Sequence, residues 1–263
     1  MARVIAIANQ KGGVGKTTTS VNLSASLALS GSRVLLVDLD PQGNATMGSG
    51  VDKSALDHSV YDWLVSGVEL GAVIRRCQAG YDLVPGGPDL TAAEIELLSQ
   101  PRREYRMRDS VAAARTAYDF VLIDCPPSLN ILTLNALVAS DSVLIPMQCE
   151  YFALEGLTDL VNTIKQVHAN LNRELTIIGL LRVMFDPRIT LQQQVSEQLK
   201  SHFGDKVFNT VIPRNVRLAE APSYGQPGVV FDPSSKGAQA YVEFAREVVA
   251  RLAPADTSTS GAA

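Results

Sequence analysis

At 263 residues, with 46% hydrophobic and 19% charged side chains, the chain has the makeup of a globular protein that can bury a substantial core. A net charge of −4 excludes coating of nucleic acid by overall charge, so any DNA contact has to come from a local patch. There is no run of eighteen apolar residues and no basic-then-apolar leader, and Cys77, Cys125 and Cys149 are too few and too scattered for a disulfide framework or a CxxC metal site; membrane spanning and secretion are not indicated, a reducing cytoplasm fits, and the cysteines are expected as small buried packing residues.

The first element is an apolar strand over 4–8, followed by the glycine-rich stretch QKGGVGKTT at 10–18 and a helix over 17–30. Strand, glycine loop and helix in that order make a phosphate-binding loop. Gly12, Gly13 and Gly15 let successive N–H groups converge on phosphate oxygens, and the helix start adds unpaired N–H groups and the positive end of its dipole. Lys16 is spaced to reach the β- and γ-phosphates and the Thr17 hydroxyl to ligate Mg²⁺. The strict G-x-x-x-x-G-K-[ST] template is not met, because Gln10 stands at its first glycine and a second lysine, Lys11, opens the loop.

Further along, 33–38 reads as a buried parallel strand ending in an acid, and 41–58, rich in Gly, Ser, Asn and Asp, as an exposed loop. A short helix is expected over 60–65, a strand over 81–84 stopped by Pro85, Gly86 and Gly87, and helices over 89–99 and 102–117. Residues 119–124 repeat the apolar strand with a terminal acid. There follow a helix over 129–139, strand 142–146, helix 153–171, strand 175–183, amphipathic helix 190–201, strand 206–212 and a closing helix 234–252. The alternation predicts an α/β, doubly wound, mostly parallel sheet with helices on both faces, in one domain over 1–252. Residues 253–263, small, polar and aperiodic, read as a disordered tail. Ligands of such sheets bind at the carboxyl ends of the strands, where the loop, Asp38, Asp40 and Asp124 gather.

Four motifs in order, KGGVGKTTT at 11–19, VDLDPQGN at 37–44, VLIDCPPS at 121–128 and VIPRNVRLAEAPS at 211–223, resemble those of the deviant Walker A ATPases of the ParA/Soj partitioning family. The resemblance spans roughly residues 1–252. It implies a P-loop ATPase that binds ATP and Mg²⁺, with Lys11, Gly12, Gly13, Val14, Gly15, Lys16, Thr17 and Thr18 around the phosphates. Asp124 takes the Walker B position, Asp38 helps hold the waters of the Mg²⁺, and Asp40 orients the attacking water; capping of the turn before Pro41 is the plainer role for Asp40. Lys11 corresponds to the lysine that reaches the partner subunit's nucleotide, so catalysis by Lys11, Lys16 and Asp40 would need a homodimer. Pro213 and Asn215 border the base by the same resemblance, with Met184 and Glu150 as weaker candidates.

Arg188, Arg217 and Lys236 correspond to a nonspecific surface for double-stranded DNA, although the excess of basic residues over 182–217 is mild in itself. The implied cycle is ATP-driven dimerisation and DNA binding, then hydrolysis and release stimulated by a ParB-like protein, with a slow intrinsic rate and a cytoplasmic, nucleoid-associated location. A MinD-like membrane-associated division regulator shares KGGVGKT, but its basic amphipathic terminal helix has no counterpart in ADTSTSGAA, so no stable membrane binding is expected. Positioning of another cargo stays open. An electron-transfer ATPase like the nitrogenase iron protein would need cysteine spacing that Cys125 and its companions do not offer. His58, His168 and His202 are too far apart for a triad.

Overall fold

The computed structural model describes residues 1–253; the expected tail lies, from residue 254 on, outside the described residues. Eight strands form one sheet in the order β3-β4-β2-β5-β1-β6-β7-β8. They are β1 (Arg3–Ile7), β2 (Val34–Asp38), β3 (Arg75–Arg76), β4 (Asp82–Val84), β5 (Phe120–Asp124), β6 (Ser142–Met147), β7 (Thr176–Phe185) and β8 (Val207–Pro213). All neighbours pair in parallel except the two-residue edge strand β3, which is antiparallel to β4.

Strands β2, β5 and β6 are buried along their whole length, which explains their unbroken apolar runs: a parallel sheet is covered on both faces and needs no polar alternation. In β1 the side chains divide between the two cores. Ile5 and Ile7 face the helices Lys16–Leu29 and Lys236–Leu252, while Val4 and Ala6 face the helices Leu90–Ser99, Arg106–Val111, Ile131–Ala139, Ala153–Asn170 and Thr190–Phe203. Each fully buried Ile or Leu contributes ~1.5–3 kcal/mol over leaving it exposed. The chain passes from β5 to β6 across β1, so the strand order reverses at β1 and opens a crevice at its carboxyl end.

The helix Lys16–Leu29 is buried on polar positions too, among them Thr19, Ser20, Asn22 and Ser24. Ser20 and Ser24 bond back to the carbonyls four residues earlier, and the Thr19 hydroxyl meets the Tyr241 hydroxyl at 3.0 Å, joining the two helices on that face.

Three sequence expectations change. The loop 41–58 contains a helical turn, Asn44–Gly48, with Ala45, Thr46 and Gly48 buried, because Thr46 is drawn onto Asp38. The helix expected over 102–117 is broken into a 3₁₀ turn Arg103–Tyr105 and two short helices, Arg106–Val111 and Ala114–Ala117. Gln100 is held extended ahead of Pro101, and Arg102 takes a left-handed φ of 54°. The short helix near 60–65 is a π-helical turn, Asp62–Ser66. Cys77, Cys125 and Cys149 are free and buried, as expected of packing residues.

Candidate functional site: a phosphate loop facing buried carboxylates

The loop that leaves β1 turns through two left-handed glycines, Gly13 at φ 72° and Gly15 at φ 73°, conformations that side-chain-bearing residues rarely adopt. Asn9 frames its entry: Oδ1 accepts the Lys11 N–H at 3.0 Å and Nδ2 donates to the Pro146 carbonyl at 2.8 Å. Lys16 opens the helix and folds back over the loop, where its ammonium donates to the Lys11 carbonyl at 3.1 Å. Its side chain is buried, and burial holds its pKa below the usual lysine value, against the pull of Asp124, the Cys125 thiol and Asp40. The cation is therefore poorly hydrated and centred on the cradle.

The acids meet this loop from two strand ends. Asp38 closes β2 and Asp124 closes β5, and the two are register partners across the ladder. Asp124 accepts from the Thr17 hydroxyl at 2.8 Å and the Ser20 hydroxyl at 2.7 Å. Asp38 accepts from the Thr46 N–H and hydroxyl, both at 2.7 Å, and from the Asp40 N–H at 3.3 Å. Neither carboxylate is exposed. Burial pushes the Asp124 carboxyl up to about 7, and repulsion from Asp38 adds to it against the two hydroxyls. Burial likewise raises Asp38 to about 6, against the Thr46 bonds. Two buried carboxylates beside a threonine hydroxyl make an all-oxygen, anionic donor set that fits a magnesium ion. Among the described residues no three His, Cys, Asp or Glu side chains form a metal cage.

Residues 2–177 match the family described as an AAA domain. Over 251 residues, 95% of this chain, the sequence is 53% identical to the sporulation initiation inhibitor protein Soj of Bacillus subtilis, 99% of which is covered. It is 50% identical over 252 residues to the chromosome partitioning protein ParA of Caulobacter vibrioides, covering 95% of this chain and 94% of that one. The chain belongs to the ParA/Soj family. Among solved structures it is similar, with a TM-score of 0.83 and 40% identity over 94% of this chain and 93% of the other, to a Mycobacterium smegmatis protein described as cobyrinic acid a,c-diamide synthase with bound ATP analog and magnesium.

The lysine that marks the ParA/Soj loop, Lys11, does not enter the cradle. Its side chain is half exposed and its ammonium pairs with the Glu150 carboxylate of the same subunit. Glu150, the weaker candidate for bordering the base, is thus paired at the loop. Asp40 is nearly buried; its Oδ1 accepts the Gln42 N–H at 2.9 Å, so it does cap the turn, and among the described residues its other oxygen accepts no protein hydrogen bond. Met184, at the end of β7, holds a left-handed φ of 51°, and its Cε lies 3.9 Å from the point where a Cβ on Gly15 would sit. Pro213 ends β8 in register with Phe185, and the Asn215 side chain caps the helix Val216–Glu220 by accepting the Leu218 N–H at 3.2 Å. Met184 therefore lies beside the loop at Gly15, while Pro213 closes β8 and Asn215 follows two residues on. Thr18 lines a small cleft with Asn22, Asn44 and Leu218.

The three basic residues assigned by resemblance to DNA all emerge past the carboxyl ends of β7 and β8. Arg188 is exposed and forked onto Asp186, Arg217 pairs with Glu220 at 3.0 Å and Asp232 at 3.4 Å, and Lys236 begins the last helix. Arg182, counted in the basic excess over 182–217, is no surface residue. It is buried, donating to the Ser196 hydroxyl and the carbonyls of Phe208 and Asn209.

Sequence reading missed Ser20, Thr46 and Gly86. Ser20 sits one turn after Lys16 and Thr17, so helical spacing held a signal for it; Thr46 and Gly86 reach Asp38 through tertiary structure alone. The Gly86 N–H donates to the Thr46 hydroxyl at 2.9 Å, and a Cβ on Gly86 would lie 2.1 Å from the Asp38 carbonyl oxygen. Because that oxygen belongs to β2, it cannot move aside. Gly86→Ala is expected to cost about 3 kcal/mol, a fall of roughly 6–12 °C in the thermal midpoint. A midpoint within about 2 °C of the wild type would show the contact to be soft.

Proposed function

We propose that the chain is an ATP-dependent partitioning ATPase in which ATP binding pairs two subunits, the pair binds double-stranded DNA without sequence preference, and hydrolysis releases it. The observation that carries this reading is the division of labour between the two loop lysines. Lys16 is turned into its own cradle, whereas Lys11 is turned out, where a partner subunit's nucleotide can be reached.

Within the subunit, the N–H groups of the glycine loop and Lys16 bind the phosphates, Thr17, Asp38 and Asp124 hold magnesium, and Asp40 orients the attacking water. The ion, when bound, neutralises charge on the β- and γ-phosphate oxygens. Pro213 and Asn215 would border the base, with Met184 as a further candidate. An intrinsically slow hydrolysis suits a switch that must persist in its ATP state, and a ParB-like protein is the expected stimulus. Association with the nucleoid in the cytoplasm follows from DNA binding. Among the described residues no helix is long and apolar enough to cross a membrane.

The test is binding to random-sequence DNA with ATP, ADP or no nucleotide, with Asp40→Ala holding the ATP state. Binding is expected with ATP alone. If Arg188, Arg217 and Lys236 act from both subunits, six cations meet phosphate and log K falls with log salt at a slope of about −5. Arg188→Ala with Arg217→Ala should reduce that slope to about −2. Absence of DNA binding by either protein with ATP, or a slope near zero, would defeat the reading.

A further inference from the structure

The end of β6 and the segment that leaves it run beside the phosphate loop and are tied to it three times. The Pro146 carbonyl accepts from Asn9, the Gln148 side chain donates to the Gly13 carbonyl at 2.9 Å, and Glu150 pairs with Lys11. The middle tie differs from the others because it grips the loop's own backbone at one of its two left-handed glycines. The same Gln148 amide nitrogen lies 3.2 Å from the Met184 sulfur. Its orientation is fixed by chemistry: a flipped amide would set oxygen against the Gly13 carbonyl oxygen.

We propose that Gln148 is a positioning residue for nucleotide binding, setting the peptide plane between Gly13 and Val14 and linking the loop to Met184. In a trans peptide the carbonyl and the following N–H point in opposite directions. Anchoring the Gly13 carbonyl on Gln148 therefore directs the Val14 N–H away from β6 and toward the loop interior, where phosphate oxygens are received. Gly13 has no Cβ and nothing within 4 Å of the position one would occupy, so its local surroundings do not fix this plane. The second amide proton of Gln148 faces Met184, whose left-handed backbone is costly for a side chain of its size. One side chain thus ties the phosphate end of the site to the strained residue at its β7 wall.

The inference rests on the nucleotide-binding reading above. Its test is the Kd for ATP with Mg²⁺, by calorimetry, of wild type, Gln148→Leu and Gln148→Asn, together with the thermal midpoint of each without nucleotide. Gln148→Leu removes both donors at similar volume, and Gln148→Asn keeps the amide but withdraws it. Both are expected to weaken ATP binding about tenfold, the worth of one well-placed hydrogen bond, with midpoints within about 2 °C of the wild type. In a Met184→Leu background the Gln148→Leu effect should shrink, because half of the link is already gone. A Kd within twofold of the wild type in both variants would overturn the proposal. So would full affinity in Gln148→Asn alone, or a loss of affinity matched by loss of the fold. If the wild type itself binds no ATP, the reading of function fails instead.

Discussion

Lys11→Ala is expected to abolish ATP hydrolysis and ATP-dependent pairing of subunits while leaving the isolated subunit folded and able to bind nucleotide. The fold should hardly notice the change. Lys11 and Glu150 are each about half exposed (48% and 47%), and such pairs are worth about 1 kcal/mol or less. The Lys16 ammonium holds the backbone carbonyl of residue 11, which alanine keeps. On the proposed in-trans role, what is lost is a cation for the partner's phosphates, and cations supplied in trans to a transferring phosphoryl group are worth about 10³–10⁵ in rate. Phosphate release and sedimentation with ATP provide the measurements. Glu150→Gln gives the complementary expectation: with its own subunit's anion gone, Lys11 is free for the partner, and pairing should need less ATP. Retention of both hydrolysis and pairing by Lys11→Ala would remove the in-trans role.

Asp124→Asn should separate stability from activity in opposite directions. The wild-type carboxylate is fully buried next to Asp38 and within the field of Asp40, and its pKa is raised to about 7. Because the folded pKa lies above the unfolded value of about 3.9, the native state gains least from this group at neutral pH. Its burden is absent below the unfolded pKa, grows as pH rises from about 4, and is complete above the folded pKa near 7. Asparagine removes the charge and keeps the shape, and the Thr17 and Ser20 hydroxyls can rotate to donate to its oxygen or accept from its nitrogen. Without magnesium or nucleotide the variant is expected to melt several degrees above the wild type at pH 7.5, with the difference closing toward pH 4. Hydrolysis is expected to fall by about two orders of magnitude or more, since a carboxylate at the Walker B position is lost. A variant that melts lower at pH 7.5 would show that hydrogen bonding at this site outweighs the burial of charge.

Much of the architecture could be read from local pattern because its strands are buried on both faces. Runs such as those of β2 and β5 carry no polar interruption, and each ends in an acid at the same edge of the sheet. The loop was legible for a different reason: Gly13, Gly15 and Lys16 act through backbone geometry and reach that is set within a few residues. The remainder of the site depends on contacts between segments far apart in the chain. Thr46 looked like loop sequence until Asp38 pulled it into a helical turn, and Gly86 looked like a strand-ending turn residue although its decisive neighbour is 48 residues away. Short elements such as Leu70–Val73 and Gly228–Phe231 span about one helical turn, too few residues for a period to emerge. Arg182 entered the basic excess over 182–217 although it is buried, because charge in a sequence carries no sign of which face of a strand it leaves from.

The meeting of Asp38, Thr46 and Gly86 also bears on how this protein can be recombined. Two hydrogen-bonded residues and one obligatory hydrogen atom come from three separate stretches of chain, so none of the three can be exchanged for a relative's version on its own merits. A chimaera that imports the segment around residue 86 with any side chain there would jam the end of β2, however well its helices matched. Crossovers that carry 38–86 as one block keep the junction intact, and breakpoints inside that block should be under-represented among functional hybrids.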